Sequence, residues 1–312
     1  MKNVKTLFNC IVILLAVGIL ISCGKGEKIQ LQLKLKEGSS YEIKAGADQK
    51  ISQTIQGQKM DMLQKTTMEY TFAVEKVEPN GNATAKISYN SIKFEQDGPG
   101  GKIEYDSSNP PAKIPPAAAG FAALKEGTFT VILSPEGRVV DMKGIDKMLD
   151  LVIEKLDLPD EATRIQAKEN AQNFFGEQVM KEMMESMMAI YPEKPVGVGD
   201  TWSKVVLVSK GFPMILTNNF TLKKRKNGIA TVEIKSSVQP YPEAAPMEMG
   251  PIKLKYELSG TQEGTMELEE ATGWSKRATI KQNFTGTVHI EGAPQMSGMS
   301  FPMTVEGTIT LE

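Results

Sequence analysis

Histidine and cysteine are almost absent from this chain of 312 residues, which contains one His and two Cys. Most zinc enzymes and Ser-His-Asp hydrolases depend on these residue types, so the sequence disfavours both classes. Lys and Arg (36) nearly balance Asp and Glu (38), which leaves a formal charge of −2. Without a basic excess, there is no electrostatic case for a nucleic-acid partner. The chain is nevertheless long enough, and at 40% hydrophobic residues apolar enough, to bury a sizeable core.

The first 23 residues have the pattern of a bacterial lipoprotein signal peptide. A basic start (Lys2 and Lys5) precedes an apolar run over residues 7–21, which is short for a membrane span of about 20 residues. The run ends with the aliphatic residues Leu20 and Ile21, and Ser22 and Cys23 follow directly. These four residues resemble a lipobox. We therefore predict cleavage after Ser22 and acylation of Cys23 by chains such as palmitate, which anchor a protein stably. The alternative is an ordinary signal peptide or membrane anchor with a chance cysteine.

Removal of the predicted signal peptide, residues 1–22, limits the chemistry of the mature chain. Cys23 becomes its one cysteine, so neither a disulfide nor a catalytic thiol is expected. Residues 23–28 form a lipidated tether of at most about 20 Å, which keeps the folded body close to the membrane. Gly24 stands where an aspartate would retain a lipoprotein at the inner membrane. The predicted location is therefore the bacterial cell envelope, on the periplasmic side of the outer membrane.

Alternation of apolar and polar residues predicts antiparallel strands in most of the mature chain. The period is two within a first β half, residues 29–144, and within a second β half, residues 196–312. Between them, residues 145–195 show helical spacing and form a predicted helical insert with segments from residue 145, over 160–175 and over 177–190. Residues 97–120 are rich in Gly and Pro, which predicts a loop.

The two β halves resemble each other in three short blocks that occur in the same order. The blocks predict a duplication, although β proteins also reuse such turns by chance. The fold class that follows is a β-dominated α+β protein with one large curved antiparallel sheet, or two stacked sheets. Two related halves build it, and the helical insert covers part of one face. The matching blocks are Gly38-x-x-Tyr41 with Gly199-x-x-Trp202, Tyr70-Thr71-Phe72 before Asn80-Gly81 with Phe220-Thr221-Leu222 before Asn227-Gly228, and Gly127 to Gly137 with Gly264 to Gly273.

The third predicted helix carries the main candidate for a binding surface. Methionine side chains are flexible and polarisable, so they suit an acyl chain or a partner helix, but they also suit simple packing against a sheet. Their spacing places them on one face as a double row. The candidate apolar ligand surface consists of Met180, Met183, Met184, Met187 and Met188.

The remaining candidates favour structural roles. His289 lies on the polar side of a Thr-rich strand, which favours a surface residue over a general base. Residues 105–107 (Tyr-Asp-Ser) favour local turn bonds over a loop binding site. We predict no catalytic residue, no metal and no cofactor, and the chain shows no nucleotide-binding or hydrolase motif. A thioether copper site is a minority alternative, since neither His nor Cys supports its members, Met247, Met249, Met296, Met299 and Met303.

Several of these motifs together carry a resemblance to a known family. The chain resembles the bacterial lipoprotein family known as domain of unknown function 6263, over most of residues 29–312. This resemblance implies an uncharacterised envelope lipoprotein and carries over no catalytic residue. The motifs are the lipobox at Cys23, Gly38-x-x-Tyr41, Asn80-Gly81-x-Ala83, Tyr105-Asp106-Ser107, Gly127 to Gly137 and Val198-Gly199-Asp200-x-Trp202.

Three functions stay open on the sequence. The first is a lipid-anchored, non-enzymatic envelope protein that binds an apolar ligand, a lipid or the acyl chains of a lipoprotein, between sheet and helices. The second is a structural or interaction lipoprotein that docks other envelope components. The third is a hydrolase that uses paired carboxylates, for which no distinctive constellation is visible.

Overall fold

The computed structural model describes residues 27–115, 118–155, 158–209, 212–249, 252–291 and 298–312. Within these ranges the chain forms 13 strands, all in one antiparallel sheet, and four α-helices. The strands are β1 (Ser40–Ile55), β2 (Gln58–Val77), β3 (Ala83–Gly98), β4 (Gly101–Asp106), β5 (Thr128–Leu133), β6 (Val139–Lys143), β7 (Thr201–Val208), β8 (Met214–Lys226), β9 (Ile229–Pro240), β10 (Met247–Met249), β11 (Ile252–Glu269), β12 (Ser275–Glu291) and β13 (Ser300–Leu311). The helices are α1 (Ala119–Glu126), α2 (Ile145–Lys155), α3 (Glu161–Phe175) and α4 (Glu177–Met188).

The order of the strands joins both β halves in a single sheet. It runs β6-β5-β3-β2-β1-β13-β12-β11-β9-β8-β7, with β4 beside β3 and β10 beside β11. The pairing of β1 with β13 connects the two halves, and the sheet does not close on itself. The predicted fold class is confirmed: a β-dominated protein with one large antiparallel sheet and a helical insert in the middle of the chain.

The two halves of the sheet have the same strand order. β6-β5-β3-β2-β1 corresponds to β12-β11-β9-β8-β7, and β13 fills the position between them. Gly38 and Gly199 precede the first strand of each half with φ of 78° and 91°, a conformation that glycine adopts without strain. Their N–H groups donate to equivalent carbonyls of the second strand, those of Val74 and Leu222. Both halves therefore begin with the same turn.

The aromatic residues of the two halves align differently from the sequence expectation. Tyr41 lies opposite Phe72 in the register of β1 and β2, and Trp202 lies opposite Phe220 in β7 and β8. Phe72 is therefore the counterpart of Phe220, two residues away from the predicted match with Tyr70. In the structural match, Phe72 lies eight residues before Asn80 and Phe220 seven before Asn227, whereas Tyr70 lies ten before Asn80.

The sheet curls until its two end strands contact the same helix. α4 packs against both β6 and β7, which are the opposite ends of the strand order. α1 lies over β3, where the rings of Phe121 and Phe94 stack with centroids 4.8 Å apart. Asp160 caps the start of α3, because its carboxylate accepts a hydrogen bond from the Thr163 N–H at 2.7 Å. The helices thus cover one face of the sheet, which we call the inner face.

The main core lies between the helices and the inner face. It contains buried side chains from both halves, such as Ile87 and Phe129 from the first and Phe220 and Leu222 from the second. These four residues expose at most 2% of their surface. Because both halves share this core, neither half buries its apolar face alone.

An extended N-terminal segment, residues 29–35, joins two turns at one end of the curled sheet. The Leu33 N–H donates to the carbonyl of Pro135 in the β5–β6 turn, and the Lys34 N–H donates to that of Thr272 in the β11–β12 turn, each at 2.8 Å. The predicted alternation is present, but the segment lies outside the sheet. Its buried side chains are Leu31, Leu33 and Leu35.

Tyr191 contacts the same two turns from within the core. Its hydroxyl donates to the Gly273 carbonyl oxygen at 2.9 Å, and its ring lies beside Gly137. The side chain is only 2% exposed. This burial raises the pKa of the Tyr191 hydroxyl above its ordinary value of 10.0.

Tyr191→Phe should change stability differently at neutral and alkaline pH. At pH 7 we expect a loss of about 1–3 kcal/mol, since the buried Gly273 carbonyl loses its donor. The raised pKa means that the tyrosine stabilises the fold fully below pH 10 and that this contribution is lost as the pH rises above 10. The variant lacks this group, so its stability should fall less steeply at about pH 11. Urea unfolding at both pH values measures the two effects, and equal alkaline losses would contradict the assignment.

The predicted loop over residues 97–120 is wrong in two places. β4 pairs with β3 through a tight turn at Gly98–Gly101, and Tyr105 of β4 is buried in the main core. α1 begins at Ala119, inside the same range. β4 is six residues long and shows one short alternation, so flanking Gly and Pro residues masked its pattern.

Candidate functional site

The inner face carries a second apolar cluster, separate from the main core. It is built by β7, β8, β9, β11, β12 and β13, all in the second half of the chain. Ile51 and Ile55 of β1 pack against it, so it reaches the centre of the sheet. Its buried members include Leu216, Val238, Leu258, Phe284, Val288 and Phe301.

A row of seven polar residues and one glycine crosses the inner face between the second cluster and the main core. Its members face one another directly in the register of eight neighbouring strands, from β3 to β8. Each stands where the alternation of its strand points inward; Ser236, for example, lies between the buried residues Ile234 and Val238. In sheet order, this polar row consists of Gln96, Gln64, Gln49, Gly307, Gln282, Gln262, Ser236 and Asn218.

The polar row is uncharged and incompletely hydrogen-bonded. Asn218, Ser236 and Gln282 are only 5%, 5% and 7% exposed. Gln262 Nε2 donates to Gln282 Oε1 at 3.4 Å. Ser236 Oγ has no hydrogen-bond partner among the described residues. Such a buried hydroxyl is costly and uncommon in native proteins.

The inner face of the central strands is less covered than that of β9. The inward-facing residues of β1 and β2 near the polar row, and Gly307 and Ile309 of β13, are half-buried, whereas Val305 of β13 and the counterparts on β9 are buried. The result is a half-buried strip of the inner face on which small and apolar side chains lie beside Gln49 and Gln64. We call it the central trough, and its residues are Ala45, Ala47, Gln49, Gln64, Thr66 and Ile309.

The predicted methionine surface is divided into two rows by the structure. Met180 is buried, and Met184 and Met188 pack beside it against the main core. Met183 and Met187 point outward, with 44% and 50% of their surface exposed. The inward row fills the seam where α4 meets β6 and β7. A ligand-binding role for these five residues stays a prediction.

The other sequence candidates have local partners. His289 lies on the outer face, with Nε2 3.3 Å from Glu257 Oε2, and hydrogen bonds from Lys255 and then His289 lower the pKa of Glu257. In the predicted turn, Ser107 Oγ accepts from the Ile92 N–H at 2.8 Å. Two candidates lie outside the described residues: Cys23, with the whole signal peptide, and Met296.

Metal ligands do not converge in the described part of the chain: no group of three or more His, Cys, Asp or Glu side chains is placed to hold an ion. Of the predicted thioether set, Met247 and Met303 are buried. Met303 Sδ accepts a weak hydrogen bond from Gln53 Nε2 at 3.9 Å. None of the described helices has the length and apolar character that crossing a membrane requires.

Fold and site together define a class of protein: a single curled antiparallel sheet with a helix-covered inner face and a polar row between two apolar clusters. The chain belongs to a family of unknown function, DUF6263, whose model matches residues 80–275, well over half of its length. Among solved structures, one of lipovitellin, described as concerning lipid–protein interactions, is similar with 10% identity and a TM-score of 0.49. That match covers 88% of this chain and 25% of the other, so this chain spans a quarter of that protein. No curated protein matches the sequence.

Proposed function

We propose that this protein is a lipid-anchored, non-enzymatic component of the bacterial cell envelope that binds an acyl chain against the inner face of its sheet. Cys23 supplies the anchor, and the periplasmic side of the outer membrane is the location. The acyl chain belongs to a lipid or to another lipoprotein. The central trough is the observation that carries this proposal.

The trough favours a ligand with an apolar chain because the apolar half of its floor is incompletely covered. Ala45, Ala47 and Ile309 are half-buried, while Ile51 and Ile55 connect the trough to the second apolar cluster. Each methylene group that leaves water for such a surface contributes about 0.8 kcal/mol. A chain that lies along the floor would therefore complete the burial that the helices leave unfinished.

The proposal of a non-enzymatic role rests on the chemistry of the same surface. Amides make up most of the polar row, and amides are neither nucleophiles nor general bases at neutral pH. Ser236 is the hydroxyl of the row, and no base contacts its Oγ among the described residues. The residues of the row are therefore suited to binding rather than to bond cleavage.

Photo-crosslinking of the full chain in bacterial cells tests the proposed binding surface. A diazirine amino acid replaces Ala47, which faces the trough, or Asp48, the next residue, which is exposed on the outer face. We expect irradiation to attach an acyl-chain lipid at position 47, detected as a mass increment of the peptide. Position 48 is the matched control and should give no such adduct. Lipid adducts of equal yield at both positions, or none at 47, would contradict the proposal.

A second candidate function is the docking of envelope proteins, and the end strand β7 favours it. Val205 and Leu207 on its outer face are 68% and 45% exposed. Exposed apolar residues on an end strand are typical of surfaces that contact another chain. The same diazirine residue at position 205 should then give protein adducts of defined size. Binding of an acyl chain at the inner face does not require such adducts.

A further inference from the structure

We infer that the polar row binds the uncharged ester or amide linkage of an amphipathic lipid, while the apolar surfaces beside it hold the chains. This inference rests on the proposed function and adds the class of ligand. The row crosses the sheet between two apolar regions, which is the arrangement that a molecule with a polar linkage and apolar chains requires.

The side chains of the row match a carbonyl-bearing group without net charge. Each Gln or Asn offers two N–H donors and one carbonyl acceptor. An ester or amide carbonyl accepts from such donors, and a neighbouring hydroxyl or N–H donates to the acceptors. Gln49 and Gln64 face each other on the floor of the trough and are half-buried, so their amides are within reach of a ligand there.

An ionised head group fits the row poorly. The next residue in the register beyond Asn218 is Lys204 on β7, whose Nζ already lies 3.3 Å from Glu193 Oε1. A carboxylate or phosphate at the row would therefore meet neutral amides and a cation that is already paired. Burial of such a charge without its own counter-ion is strongly unfavourable.

Ser236 gives an independent reason to place a ligand at this row. Its side-chain oxygen is buried, points to the inner face and lacks a hydrogen-bond partner among the described residues. Its neighbours in the register, Asn218 and Gln262, are also members of the row. A ligand carbonyl beside these three side chains would accept the hydroxyl hydrogen and satisfy the group.

The test is a competition between two oleoyl probes for the full chain in a non-ionic detergent, read by native mass spectrometry. Monoolein carries an uncharged ester, and oleic acid carries a carboxylate that is ionised at about pH 8. We expect monoolein to be retained about fivefold over oleate. In the double variant Gln49→Leu and Gln64→Leu, which nearly keeps side-chain size but removes the amide donors, the occupancy of monoolein should fall about fivefold. The expected ratio corresponds to roughly one net hydrogen bond.

Ser236→Ala separates ligand binding from folding. Because the hydroxyl has no partner among the described residues, its removal should not lower the melting temperature, but it should weaken monoolein binding about fivefold. Ser237→Ala is the matched control, since Ser237 is the next residue and is exposed on the outer face. It should change neither quantity.

The outcomes distinguish this inference from the proposed function. Binding of both probes with equal occupancy, or a monoolein occupancy that the double variant leaves unchanged, would overturn the role of the polar row and leave acyl-chain binding intact. Binding of neither probe would overturn both. A Ser236→Ala chain that melts at a lower temperature but binds monoolein normally would make the row a folding element and would also overturn the inference.

Discussion

Cys23→Ser is expected to abolish the incorporation of labelled palmitate and to leave residues 1–22 attached to the chain. In our proposal the thiol of Cys23 accepts the first lipid, a diacylglyceryl group, and a hydroxyl does not replace a thiolate as the nucleophile in this transfer. Signal removal at a lipobox follows that lipid transfer, so the variant should keep its signal peptide. Metabolic labelling and the intact mass of the purified chain measure both changes, which should be all-or-none.

Cys10→Ser is the matched control for this experiment. Cys10 lies within the apolar run of the predicted signal peptide, so its loss should change neither label nor mature mass. If the Cys23→Ser chain were still processed after Ser22, the lipobox would be a chance match to an ordinary signal peptide. The anchor in our proposal would then be wrong, whereas binding at the inner face would remain testable by photo-crosslinking.

The elements that the sequence predicts well are those determined by neighbouring residues. Asn80-Gly81 and Asn227-Gly228 form the predicted hairpins, because positive φ is accessible to Asn and Gly. The helices over 161–175 and 177–188 follow the predicted segments within two residues. In both cases the signal is a short pattern whose meaning does not depend on distant parts of the chain.

How the two halves join depends on distant parts of the chain, and the sequence did not distinguish one sheet from two stacked sheets. One sheet and two stacked sheets both satisfy the alternation of β1 and β13, since each strand has one apolar side. Gln49 of β1 pairs with Gly307 of β13, which is 258 positions later in the sequence, and this pairing joins the two halves in one sheet. No local pattern encodes this partner choice, which depends on the fit of whole strands.

The polar row was missed for the same reason. Each polar member is visible in the sequence as a polar residue on the apolar side of an alternation, as Gln282 is between Ile280 and Phe284. A single residue of this kind indicates only a small irregularity in the alternation of its strand. The row exists only in the register of eight strands, where seven polar side chains align. The methionines of α4 show the reverse case, since their spacing predicted one face and the packing of α4 between β6 and β7 separated two.

Gly137→Ala should be costly to stability, because Gly137 has the closest contact for an added Cβ among the described glycines with positive φ. Gly137 lies in the β5–β6 turn with φ of 78°, where an alanine costs about 1–2 kcal/mol. A Cβ at this position would also lie 1.8 Å from the carbonyl oxygen of Met188, at the end of α4. The turn, α4 and Tyr191 would have to separate, which adds about 1–3 kcal/mol. We expect a total loss of about 2–5 kcal/mol and a melting temperature lower by about 10 °C.

Gly57→Ala isolates the backbone part of this effect. Gly57 has a φ of 80°, nearly that of Gly137, but a Cβ there would meet no atom within 4 Å. The control should lose only about 1–2 kcal/mol, so the difference between the variants measures the close packing of the turn on α4. That packing holds α4 against both end strands, and its loss should also open the seam between β6 and β7 to hydrogen exchange. Equal losses in the two variants would show that the turn tolerates separation from α4, and the curl of the sheet would then depend on its own strands rather than on the helix.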